Sequence, residues 1–114
     1  MDMERVNPIE IECNGTVYKL DFDKESVMWA EDHGLVIDDI NTKTMSVMSN
    51  LFFFAFRKHH PNMTKIQTNR IMFDEMGGLP VEVLERLTQL YTVNYNALVQ
   101  TEETAKNSKW TVRM

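Results

Sequence analysis

A lone cysteine, Cys13, has nothing in the chain to pair with, so an intramolecular disulfide is excluded and a reducing compartment is the natural reading. Basic charge is also short. Twelve Lys and Arg against seventeen Asp and Glu give a formal charge of -5, which argues against a broad phosphate-contacting surface and hence against nucleic acid as a partner. The longest apolar run, Leu51 to Phe56, falls far short of the ~20 residues needed to span a bilayer, so no membrane role is expected. The start, Met1-Asp2-Met3-Glu4-Arg5, lacks the basic and apolar halves of a signal peptide. Internal repeats and low-complexity tracts are missing too.

Catalytic and metal signatures are equally scarce. His33, His59, His60 and Cys13 lie on separate predicted elements without the paired spacing of a zinc site. Adjacent histidines on a helix point about 100° apart, so His59 and His60 are poorly placed to share an ion. No serine or cysteine sits in a nucleophile motif, and Gly77-Gly78 lacks the lysine and preceding strand of a phosphate loop. The expectation is a non-enzymatic protein without cofactor or metal.

What is present is a methionine-rich chain of ordinary globular composition with strong local signals. At 114 residues and 43 % hydrophobic composition it reads as one globular domain over 1–100, with 101–114 a polar C-terminal tail whose apolar anchors are Trp110 and Val112. Asn14-Gly15 fits a type I′ turn, where both central residues need positive φ, and predicts a β-hairpin over 8–22. That turn pairs Cys13 with Thr16, Ile11 with Tyr18 and Ile9 with Leu20, giving the hairpin one apolar face.

Four helices are expected to follow. Asp23 caps one over 24–33 that stops at Gly34, and Thr42 or Thr44 opens a second over 43–60 that ends before Pro61. Thr64 and Gln67 have capping-box spacing for a third over 64–76, ended by Gly77-Gly78. The fourth, over 80–99, has the clearest period: Val83, Leu84, Leu87, Leu90, Tyr91, Asn94 and Leu98. The fold class is α+β, mostly α, with the hairpin packed on a bundle of about four helices.

The second helix carries too much apolar surface for one stripe. If Met45, Met48, Phe52, Phe56 and His59 line one face, then Val47, Leu51 and Phe54 are left over, and they are the candidate contact for a partner or a second copy of the chain. Arg57, Lys58, His59 and His60 follow at its end, where the helix dipole favours cations. That placement explains them as a helix end; a basic cluster can also guide the encounter with an anionic partner, and on that ground Arg57 and Lys58 join the candidate partner-binding set.

The run Phe22-Asp23-Lys24-Glu25-Ser26-Val27, the segment Glu31-Asp32-His33-Gly34-Leu35-Val36-Ile37-Asp38-Asp39-Ile40 and the stretch Leu51-Phe52 with Ala55-Phe56-Arg57-Lys58-His59-His60-Pro61, set in this order, resemble small tail-assembly chaperones of tailed phages and prophages of Gram-positive bacteria. The resemblance extends through Gly77-Gly78-Leu79 to about Leu98 and omits both ends. It implies a protein of the bacterial host cytoplasm that holds newly made tape-measure protein in an assembly-competent form and helps recruit tail-tube subunits. A different class of function, a phage-encoded protein that binds a host protein as a defence inhibitor or trigger, fits the acidic and aromatic composition as an alternative.

Overall fold

The computed structural model describes residues 6–96 and Arg113. The end of the predicted fourth helix and nearly all of the 101–114 tail, including Trp110 and Val112, lie outside the described residues. Within them the chain is α+β and mostly helical, an antiparallel hairpin followed by four helices.

Strands β1 (Ile9–Cys13) and β2 (Thr16–Leu20) pair in the register set by the turn, Ile9 with Leu20, Ile11 with Tyr18 and Cys13 with Thr16. Asn14 and Gly15 hold φ of 52° and 81°, the left-handed values that a type I′ turn requires. Helix α1 (Lys24–Asp32) begins in a capping box. The Asp23 carboxylate accepts from the Ser26 amide at 2.8 Å, and the Ser26 hydroxyl oxygen accepts from the Asp23 amide at 2.8 Å. It ends in a Schellman turn around Gly34 (φ 100°), where the Leu35 and Gly34 amides reach back to the carbonyls of Ala30 and Glu31. That turn drives Leu35 into the core.

The segment after it is a short 3₁₀ helix, Ile37–Asn41. Helix α2 (Thr44–Ala55) starts without the expected threonine cap: Lys43 occupies the cap position, while the Thr42 and Thr44 hydroxyls donate backward to the carbonyls of Asp39 and Ile40. Helix α3 (Lys65–Arg70) opens in the predicted Thr64–Gln67 capping box and widens into a π turn, Ile71–Glu75, that buries Ile71 and Met72. Helix α4 (Val81–Asn96) presents Leu87, Leu90 and Tyr91 to the interior.

The predicted reach of the second helix to residue 60 is corrected. The carbonyl of Ala55, which a longer helix would direct to the amide four residues on, instead accepts from the Asp21 amide at 3.0 Å. The ladder is thereby diverted to the end of the hairpin. Phe56 and Arg57 close the last turn with tighter bonds to Phe53 and Phe54, and residues 57–59 continue as turn.

Helix α2 is the centre of the molecule, touching α1, the 3₁₀ helix, α3 and α4. Its Leu51, Phe52 and Ala55, with Phe56 just beyond its end, pack with Leu20, Val27, Leu87 and Tyr91 in one core. Buried side-chain polar atoms among the described residues all have partners. Ser49, for example, donates to Asn69 of α3 at 2.6 Å. Among the described residues no helix is long and apolar enough to cross a membrane.

Candidate functional site: the Arg57–Trp29 surface

The hydrogen bond from Asp21 to Ala55 determines where the basic segment goes. Because α2 stops there, Arg57, Lys58, His59 and His60 project from a turn packed between the hairpin and α1, rather than from a helix end in solvent.

The members of the segment divide between two carboxylates, the hairpin backbone and an indole ring. The Lys58 ammonium lies 3.2 Å from Asp21 and 3.9 Å from Asp23, and His59 is 3.8 Å from Asp21. The His60 Nε2 accepts from the Lys19 amide at 3.0 Å, which places its ring proton on Nδ1. Its ring meets Tyr18 edge-on at 5.5 Å and Phe56 at 6.0 Å. Arg57 instead sits over the Trp29 ring, its Cζ 4.5 Å from the centroid. Trp29 also stacks against His33, with centroids 4.0 Å apart and planes 28° apart, and the His33 Nδ1 donates to the Trp29 carbonyl at 2.8 Å.

Asp23 is electrostatically settled. Burial works against its charge, but the Ser26 amide and hydroxyl and the Lys58 ammonium outweigh that, and the carboxyl is held below its ordinary value. On the far side of α1, Tyr91 is pushed well above the ordinary phenol range by burial and by the negative charge of Glu31, toward which its hydroxyl points at 3.5 Å. It is a neutral core phenol.

Two clefts flank the Arg57 guanidinium. The wider, of about 310 Å³, is lined by Asp23, Glu25, Ser26, Trp29, Lys58 and Pro61 with Arg57 itself. The narrower, of about 110 Å³, runs between Trp29, Phe53, Phe56, His60, Pro61 and Met63. A larger groove of about 510 Å³ lies elsewhere, between Val6–Asn7 and α4, and its one charged group, Arg86, reaches the Asn7 carbonyl at 3.4 Å.

The sequence-predicted partner set divides. Val47, Leu51 and Phe54 are 4 %, 0 % and 3 % exposed, so the reading of these three as surplus apolar surface is corrected: α1, α3 and α4 wrap the helix on those sides and absorb them into the core. Arg57 and Lys58 remain at the surface, and of the two Lys58 is the one already paired. Sequence reasoning passed over Trp29. Its signal was available in the four-residue spacing from His33, which puts both rings on one side of α1. Lys65 at the start of α3 donates to the Asn50 side chain of α2 and takes no part in this surface.

Among the described residues no group of three or more His, Cys, Asp or Glu side chains converges as a metal site would require. The arrangement can present one oriented guanidinium beside an apolar notch, which is the chemistry of recognition. Comparison with curated proteins and with solved structures finds no match. A family model does match, over residues 3–114, and the chain belongs to that family, described as Domain of unknown function (DUF5055).

Proposed function

We propose that this protein is a non-enzymatic phage tail-assembly chaperone that binds the tape-measure protein and assists tail-tube assembly in the cytoplasm of the bacterial host. The observation that carries the reading is the segment Ala55-Phe56-Arg57-Lys58-His59-His60-Pro61 and its place in the order hairpin, short helix, aromatic helix, on which the resemblance to such chaperones rests. The physical chemistry is compatible. A tape-measure chain is long, helical and apolar along its faces, and a holder for it needs adaptable apolar side chains on a charged exterior. Met28, Met45, Ile66, Phe73 and Val81 are large apolar side chains on the outer surfaces of this small domain, which carries a formal charge of -5.

Binding is assigned to the face that carries Arg57 and Lys58, with tape-measure and tail-tube proteins as partners and self-association as a second mode. Co-expression with the tape-measure protein of the same phage tests this directly. The expected result is that the tape-measure protein stays in the soluble fraction with this chain and precipitates without it; equal precipitation in both cultures sinks the proposal.

A further inference from the structure

Arg57 differs from the other cations of its turn in being held but not neutralised. Its guanidinium lies against Trp29, while the nearby carboxylates face Lys58 and His59. Among the described residues no carboxylate lies within ion-pair distance of it. A guanidinium stacked on an indole keeps its five N–H donors in the exposed plane, where they match a carboxylate in a two-bond fork. Stacking also restricts the side chain before any ligand arrives, so less freedom is lost on binding than for a free arginine.

The surroundings narrow the ligand further. Asp21 and Asp23 are occupied, the first by Lys58 and the second by Lys58 and the opening of α1. Glu25 is exposed on the rim of the wider cleft and is unfavourable to a multiply charged anion such as phosphate. The notch on the other side of the guanidinium, at about 110 Å³, is below the roughly 300 Å³ at which small-molecule pockets begin. Its walls of Trp29, Phe53, Phe56 and Met63 suit one apolar side chain.

We propose that Trp29, Arg57 and the adjoining notch form a recognition site for a protein segment carrying one carboxylate next to an apolar side chain, the carboxylate forked on Arg57 and the apolar group in the notch. This rests on the reading of that face as the partner surface and adds the chemistry it selects. An acidic residue one helical turn from a leucine meets the requirement.

The test uses the full chain, labelled for NMR, titrated with a blocked helical peptide bearing a leucine and a glutamate four residues apart, with its glutamine twin, and with inorganic phosphate. The Trp29 indole N–H and the Arg57 Nε–H report the site. The glutamate peptide is expected to shift both saturably and to bind about tenfold more tightly than the glutamine twin, the gain of a charge-assisted fork. Arg57→Gln removes that preference, and Lys58→Gln leaves it. Equal affinity for the twins, or phosphate saturating the same signals as strongly as the glutamate peptide, overturns the assignment. So does an Arg57→Gln protein that keeps the preference with an otherwise unchanged spectrum. Co-expression reads the other proposal separately: a soluble tape-measure protein with no glutamate preference removes this site and keeps the chaperone, and the reverse pair of results removes the chaperone and keeps the site.

Discussion

Asn94 occupies a core-facing place in the apolar period of α4, and replacing it by leucine separates what pattern predicts from what structure requires. By pattern, Asn94→Leu completes the stripe and helps. In the structure the Asn94 side-chain amide donates to the Phe22 carbonyl at 2.8 Å and to the Leu90 carbonyl at 2.8 Å, tying α4 to the segment between the hairpin and α1. The Leu90 carbonyl lies inside α4 and keeps its helical partner, so only the Phe22 carbonyl is orphaned, in a residue that is itself buried. Leaving a buried acceptor unpaired costs about 1–3 kcal/mol. Leucine returns about 0.5 kcal/mol through its better helix propensity. The net loss is about 0.5–2.5 kcal/mol, and at roughly 4 °C per kcal/mol for a domain of this size the melting temperature falls by about 2–10 °C. Thr92→Leu, on an exposed position of the same helix, carries a similar propensity gain with no carbonyl to orphan and is the control. Thermal unfolding followed by circular dichroism decides it: an Asn94→Leu protein that melts as high as Thr92→Leu refutes the reasoning.

Three further outcomes follow from the same geometry. Leu51→Ala should cost about 2–5 kcal/mol in urea unfolding, because Leu51 is fully buried; unchanged stability would restore it to the surface and to the partner set. Asp23→Ala should cost about 1 kcal/mol through the lost cap, whereas Asp23→Asn keeps a cap acceptor and loses only the charge. Because the folded-state carboxyl of Asp23 is held below its ordinary value, its ionic stabilisation is fully present above about pH 4 and disappears as pH falls through the lowered value. Asp23→Asn should therefore flatten part of the acid limb of stability, and an unchanged limb in matched pH titrations would contradict that. His60→Phe keeps a ring against Tyr18 and Phe56 but removes the acceptor of the Lys19 amide, so hydrogen exchange at Lys19 should accelerate with little change at Leu20; equal protection would show that the bond contributes nothing.

The legible parts of this protein are those decided within a few residues of chain. Asn14-Gly15 determined the hairpin register because only residues that tolerate positive φ build that turn, and Asp23, Thr64 and Gly34 marked helix limits through bonds that reach three to five residues. The period of α4 was equally plain, although its Asn94 could not be read as a strut without knowing that Phe22 lies opposite. Tertiary structure alone decided where α2 ends, since the competing donor for Ala55 comes from Asp21, thirty-four positions away. It also decided that Val47, Leu51 and Phe54 are interior: a helix wrapped on several sides and one that keeps a bare face have the same apolar pattern until the neighbouring elements are placed. The pairing of Arg57 with Trp29 belongs to the same class, because a cation chooses among rings and carboxylates only after folding has brought them within reach.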